Sequence, residues 1–312
     1  MLSIIIGAVL LYFGAEGLVR GSASLATRLG ISPLVAGLTI VAFGTSAPEL
    51  SVSLSSALGG HPDIALGNVV GSNIFNIAVI LGIAALIQPL QIHLSVIRRD
   101  IPVMIASSAI AFALIVSGGV SRLAGIGLVL GLVLYIYSTI RSGKKEATNH
   151  TVGASIDALP LISKHWAIDL VILLAGMGVL LLGSRLFVGG ATSLAQALGV
   201  SDAVIGLTIV AVGTGLPELA TSVVAALRRQ TDIAIGNVVG SNIFNVLCVL
   251  GVTATVSPIS ASGIELRDAS VMLVLGILLL PVALTNLKIN RAEGAVFIGI
   301  YAIYVYLLWP SS

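Results

Sequence analysis

Two glutamates stand where a membrane-spanning chain should hold only hydrocarbon. Glu49 ends the stretch Gly44-Thr45-Ser46-Ala47-Pro48-Glu49, inside an apolar run from Pro33 to Leu58. Glu218 ends Gly213-Thr214-Gly215-Leu216-Pro217-Glu218, inside a second such run. An acid at mid-membrane is costly and is paired or functional by default. Each follows a proline, which lacks an N–H and clashes with the carbonyl four residues back, so each helix should break there. A half-helix that ends at such a break carries partial negative charge and free carbonyls, here around Ala42–Thr45 and Ala211–Thr214. Thr45, Ser46 and Thr214 add hydroxyls, whereas those of Thr39 and Thr208 can also bond back within their own helices. Carboxylates, carbonyls and hydroxyls suit a hard cation such as Ca²⁺ or Na⁺, and nothing here suits a soft metal. Two carboxylates facing each other in a low dielectric need a cation or a proton between them.

A second pair of motifs supplies amides. Gly67-Asn68-Val69-Val70-Gly71-Ser72-Asn73-Ile74-Phe75-Asn76 returns unchanged as Gly236 through Asn245. Asn68, Ser72 and Asn76 are four apart and share a helix face, as do Asn237, Ser241 and Asn245; Asn73 and Asn242 lie off it. Gly67 and Gly71 allow close helix approach. The bland reading is tight packing with interhelical hydrogen bonds. The functional reading is that Ser72, Asn76, Ser241 and Asn245 complete the cation cavity, with Asn68, Asn237 and Gly215 along its wall. A phosphate loop is ruled out, because no lysine follows and no strand precedes.

These residues need elements to hold them. The chain has 312 residues, 57% hydrophobic and 9% charged, with mean hydropathy +1.12. So few charges cannot cover a soluble protein of this size. A helical span needs about 20 apolar residues, and ten fit: 2–27, 33–58, 63–87, 101–117, 122–140, 165–189, 202–227, 232–256, 269–286 and 292–309. The first run lacks a basic leader and a cleavage site, so it reads as a helix rather than a signal peptide. Cys248 reads as a small buried hydrophobe. The four histidines fall at span ends or in the polar linker, Glu16 and Arg185 read as interface residues, and Arg228-Arg229 as headgroup anchors.

A shift of 169 residues aligns the halves without a gap from Gly7 to about Ala109. The expected organisation is therefore a first five-helix repeat over 1–140, a cytoplasmic linker over 141–164 and a second repeat over 165–312. Five spans per half invert the second relative to the first. The fold class is thus an all-α membrane protein, ten transmembrane helices as two inverted repeats with broken helices 2 and 7. With both termini outside the cytoplasm, only Arg122, Arg185 and Arg267 of the 15 Lys and Arg fall on the outer side.

At these motifs the sequence resembles the cation/calcium exchanger superfamily, and within it the prokaryotic sodium/calcium exchanger branch. Its repeats read G-T-S-x-P-E and continue as Gly-Asn-Val-Val-Gly-Ser-Asn-Ile; the proton-coupled branch usually has Asn where Thr45 and Thr214 stand. The resemblance implies Ca²⁺ held by Glu49, Glu218 and the carbonyls of Thr45 and Thr214. It implies one Na⁺ site from Ala42, Ser46, Ser241 and Glu218 and another from Ala211, Ser72, Thr214 and Glu49, with Asn76 and Asn245 facing the centre. It also implies alternating access, with the first and sixth helices sliding across the core. Two positions depart from the family pattern: Gly215 stands where Ser is frequent, and Asn245 where some relatives carry Asp. The large cytoplasmic regulatory domain of animal members has no counterpart here.

The sequence thus reads as a secondary antiporter of the cell (inner) membrane, not an enzyme, exchanging Na⁺ for Ca²⁺. Transported ions take the place of cofactors, and the lipid bilayer that of partners; no nucleic acid or protein partner is indicated. The alternative is the same fold coupled to protons. An intramembrane hydrolase would need paired aspartates, a Ser–His pair or a zinc motif, none of which occurs. The paired breaks argue against a scaffold, and a channel would show as flux without a counter-ion.

Overall fold

Apolar periodicity without charge makes most of this chain helical in the computed structural model, which describes residues 2–150, 165–198, 211–261 and 265–308. In chain order the helices are α1 (Leu2–Leu29), α2 (Pro33–Thr45), α3 (Ala47–Leu58), α4 (Pro62–Ile87), α5 (Val96–Val116) and α6 (Arg122–His150). Then come α7 (Trp166–Ala197), α8 (Leu216–Leu227), α9 (Thr231–Val256), α10 (Leu266–Leu284) and α11 (Arg291–Leu308). Among the described residues, 8 helices are long and apolar enough to span a membrane, and α2 with α3 makes a ninth bent by 41°. The expected first half of the seventh span, 202–210, lies outside the described residues, as do Thr208 and residues 151–164 of the expected linker. The start of that linker is not loop: α6 continues helically through it to His150. α7 also outruns its expected end at 189 and places Arg185 within a helix.

Local chemistry sets these boundaries. Ser32 caps α2, its hydroxyl accepting from the Val35 N–H at 3.3 Å, and Pro33 occupies the first turn, where no N–H is needed. α3 and α4 meet in a tight turn at Gly60, whose φ is +82°. The matching turn between α8 and α9 has Arg229 at φ 57°, a conformation that glycine takes without strain and arginine does not.

The layers follow from burial. α9 is enclosed on every side and α4 mostly so, while α6 and α11 lie at the rim. Large apolar side chains such as Phe13, Leu123, Val133 and Tyr306 face outward, as suits a lipid surroundings. Two short antiparallel ribbons tie the halves together: β1 (Leu90–Gln91) with β4 (Lys288–Ile289), and β2 (Gly119–Val120) with β3 (Ile259–Ser260). Their registers, Leu90↔Ile289 and Val120↔Ile259, interchange under the 169-residue shift.

α1 and α7 form a closely packed antiparallel pair. Gly7, Gly14 and Gly21 of α1 align, under the same shift, with Gly176, Gly183 and Gly190 of α7. A Cβ on Gly176 would lie 2.6 Å from the Leu18 N, and one on Gly183 would lie 2.7 Å from the Leu11 N. Apolar side chains gain nothing by leaving lipid for a partner helix, so backbone approach through small residues drives such packing. At one end Arg28, in the last turn of α1, bonds the fully buried Asp169 in the first turn of α7. The cation at the C-terminal end of α1 and the anion at the N-terminal end of α7 each complement their helix dipole.

Gly176→Ala should therefore destabilise the protein by about 1–3 kcal/mol through overpacking. Gly178→Ala, where a Cβ meets nothing within 4 Å, should leave the thermal unfolding midpoint in detergent unchanged. Equal midpoints for the two variants would refute the backbone-contact account of this pair.

Candidate functional site

The break between α2 and α3 falls at Ser46, whose φ of −80° and ψ of 5° leave the helical region. Its N–H still reaches the Ala42 carbonyl at 3.0 Å, so that oxygen keeps one backbone partner across the break. Pro48 sits in the first turn of α3, and Glu49 follows at once. The second half breaks at Gly215, between the short turn Ala211–Gly213 and α8, where Pro217 and Glu218 open the helix; the Gly215 N–H reaches the Val212 carbonyl at 3.1 Å, three residues back rather than four.

Both glutamates are 1% exposed. Among the described residues Glu49 Oε2 and Glu218 Oε2 have no hydrogen-bond partner. Buried carboxylate oxygens without donors are stable only when a cation or proton meets them. No three His, Cys, Asp or Glu side chains gather anywhere among the described residues, so two carboxyl groups set the charge of this centre.

Two asparagines clasp the breaks. Asn68 Nδ2 donates to the Glu49 carbonyl at 3.1 Å and to Ser53 Oγ at 2.9 Å. Asn237 Nδ2 donates to the Glu218 carbonyl at 3.3 Å and to Ser222 Oγ at 3.0 Å. Their carbonyl oxygens face the opposite half: Thr45 Oγ1 donates to Asn237 Oδ1 at 3.1 Å, and Thr214 Oγ1 to Asn68 Oδ1 at 3.5 Å. Each amide thus ties the carboxylate-bearing helix of its own repeat to the half-helix end of the other. Ser241 Oγ lies 3.5 Å from Thr45 Oγ1.

The remaining expected residues fall as follows. Ser46 Oγ donates to Glu218 Oε1 at 3.3 Å. Ala42, Ser72, Asn76 and Asn245 are buried; Ala211 begins the short turn before Gly215. Thr39 bonds back to the Val35 carbonyl at 2.6 Å, the bland alternative for it. Gly215 has no hydroxyl to give Glu49, and a Cβ there would lie 2.9 Å from Phe75 Cδ1. Asn73, set aside for lying on another face, accepts from Asn245 Nδ2 at 3.0 Å. Ser53 and Ser222 were also missed, although their 169-residue offset was a usable signal. Arg228 is more than a surface anchor: its Nη2 lies 2.6 Å from Glu16 Oε1, linking the end of α8 to α1.

The model of the family described as "Sodium/calcium exchanger protein" matches residues 1–141 and 168–309. The chain is 39% identical to the putative antiporter CaxA of Alkalimonas amylolytica, over 99% of this chain and 98% of that protein. It is 34% identical to the inner membrane protein YrbG of Escherichia coli (strain K12), over 99% and 96% respectively. A solved structure of the sodium-calcium exchanger NCX_Mj, soaked without Na⁺ and Ca²⁺, superposes with TM-score 0.83 at 32% identity, covering 97% of each chain.

Asn237→Ala should remove the bonds to Thr45 Oγ1, the Glu218 carbonyl and Ser222 Oγ together, at about 0.5–1.5 kcal/mol for each hydrogen bond lost. The thermal midpoint of the purified protein should drop clearly, and Asn68→Ala should behave alike. A midpoint unchanged in both variants would remove the clasp from the account of stability.

Proposed function

This chain belongs to the sodium/calcium exchanger protein family, and from that premise we propose that it is a secondary antiporter exchanging Na⁺ for Ca²⁺ across the cell membrane by alternating access. The observation that carries the proposal is the pair of buried glutamates, each with an unpartnered oxygen and set among hydroxyls and helix-end carbonyls. Such a centre takes hard cations. One Ca²⁺ neutralises both carboxylates, and so do monovalent ions together. Carrying both carboxylates bare through a low dielectric costs several kcal/mol for each ion, so exchange is favoured over leak.

In this proposal Glu49 and Glu218, with Thr45 and Thr214, hold Ca²⁺. Ala42, Ser46 and Ser241 join Glu218 around one Na⁺; Ala211, Ser72 and Thr214 join Glu49 around another. Asn76 and Asn245 line the space between. The architecture we propose is ten spans in two inverted repeats, 1–140 and 165–312, joined by a cytoplasmic linker over 141–164 that α6 extends into. Support for the inversion comes from ribbon registers and asparagine clasps that interchange under one shift. Both termini lie outside the cytoplasm by the distribution of basic residues, and similarity to an inner membrane protein supports that membrane.

One asymmetry favours a second reading, exchange of H⁺ for Ca²⁺. Glu218 has the Ser46 hydroxyl, whereas the position that matches Ser46 in the second half is Gly215, packed against the Phe75 ring. A carboxylate with fewer oxygen neighbours can carry a proton where it holds Na⁺ poorly.

Proteoliposomes separate the readings. ⁴⁵Ca²⁺ uptake should require internal Na⁺ and ignore a pH gradient; uptake driven by the pH gradient alone would establish proton coupling. Glu49→Gln and Glu218→Gln should each abolish exchange, and near-normal flux in either would withdraw the site. Gly215→Ser needs room beside Phe75, so it should be made with Phe75→Leu. The pair should steepen the Na⁺ dependence relative to Phe75→Leu alone, and identical curves would show that the missing hydroxyl is immaterial.

A further inference from the structure

The two motif asparagines that close the repeat, Asn76 and Asn245, are equivalent in sequence but not in bonding. Asn245 Nδ2 donates to Asn73 Oδ1 at 3.0 Å. Asn73 is itself held, since its Nδ2 donates to the Asn242 carbonyl at 3.3 Å and lies 3.7 Å from Met272 Sδ. The 169-residue shift maps the Asn245–Asn73 bond onto one from Asn76 Nδ2 to Asn242 Oδ1. That bond is not made: both atoms are buried without a partner. Asn242 Nδ2 instead bonds back to the Val238 carbonyl of its own helix at 2.7 Å.

The consequence concerns which end of the Asn245 amide is available. Its nitrogen is committed to Asn73, and its Oδ1 is buried with no hydrogen-bond partner. Asn245 lies four residues after Ser241 and eight after Asn237, the two residues of α9 that touch Thr45. Spacing by four keeps all three on one helix face. On the exchange reading, which this inference rests on, that face lines the cation space. A free amide presents either a carbonyl oxygen or an NH₂ group, and only the oxygen can ligate a cation.

We infer that Asn73 is a positioning residue for cation binding: by accepting from Asn245 Nδ2 it locks the Asn245 amide with its oxygen available as a ligand. Asn76 has no such lock, so the two halves offer a cation unlike amides despite identical motifs. Partners that orient a ligand typically matter about tenfold or more in metal affinity.

The test is a double-mutant cycle read by ⁴⁵Ca²⁺/Ca²⁺ self-exchange in Na⁺-free, pH-clamped proteoliposomes of the full chain, which needs no coupling ion. Asn73→Ala should raise the KM for Ca²⁺ about tenfold with a smaller change in kcat, and should shrink the Ca²⁺-induced rise in thermal midpoint. In Asn245→Asp the side chain presents an oxygen whichever way it turns. Adding Asn73→Ala to that background should change KM less than twofold. The same KM factor in both backgrounds would overturn the inference and leave Asn73 a packing residue, as would an unchanged KM in Asn73→Ala alone. Asn245→Ala with wild-type KM would overturn Asn245 as a ligand and with it the positioning role. No Ca²⁺ self-exchange in the wild-type protein would overturn the Ca²⁺ reading itself.

Discussion

Everything near the centre of this protein answers one constraint: broken helices and two carboxylates must survive where no water reaches them. In a membrane every backbone polar group has to be satisfied from within. Asn68 and Asn237 meet that demand with one side chain per break, each satisfying a glutamate carbonyl, a serine hydroxyl and a threonine of the opposite half. A residue that reaches three groups on two elements must sit where backbones nearly touch. Hence a Cβ on Gly236 would lie 2.8 Å from the Leu34 carbonyl, and one on Gly240 would lie 2.8 Å from the Leu38 carbonyl. In the second copy of the motif Gly236 and Gly240 thus serve Asn237, whereas a Cβ on Gly71 in the first copy would meet nothing within 4 Å. Gly236 and Gly240 let α9 press against α2 closely enough for Asn237 to reach Thr45.

The duplicated chain builds a nearly symmetric frame and then departs from it at few positions. Ribbons, glycine contacts and clasps interchange between halves. Ser46 against Gly215, and the Asn245–Asn73 bond against the unmade Asn76–Asn242 bond, do not. The first gives Glu218 a hydroxyl and leaves Gly215 packed against the Phe75 ring. The second leaves Asn245 Nδ2 bonded and Asn76 Nδ2 without a partner. Because the frame is common, each difference falls on the chemistry presented to an ion rather than on the fold.

Much of this was legible because its cause is local. Pro48 and Pro217 announce breaks wherever an apolar run surrounds them, and both breaks lie two residues upstream, at Ser46 and Gly215. The glutamates stood out because charge in hydrocarbon is conspicuous. What sequence spacing could not deliver was cross-helix partnership. Helix periodicity put Asn73 and Asn242 off the site face, correctly as an angle, yet Asn73 touches Asn245 because two central helices cross there. Glu16 with Arg228 is a similar case: the residues are 212 apart in sequence, and only the placement of α1 beside α8 pairs them. Helix ends also escaped, since nothing polar in residues 141–150 is strong enough to stop α6.

The α1–α7 pair shows how these levels join. Its glycine seam and the Arg28–Asp169 bond make it a unit whose internal contacts are backbone-close. It meets the rest of the protein at the helix breaks themselves: Met177 lies against Gly44, Val188 against Gly213, and Ser184 Oγ donates to the Gly213 carbonyl at 3.0 Å. A displacement of the pair along its own axis keeps the glycine seam intact but exchanges those three contacts. The Glu16–Arg228 ion pair has its arginine 44% exposed, so water screens it and it resists such a displacement only weakly. The contacts that do resist are those made at the breaks, at Gly44 and Gly213. On the proposed exchange reading, charge compensation at the centre and the position of the outer pair meet at these two glycines.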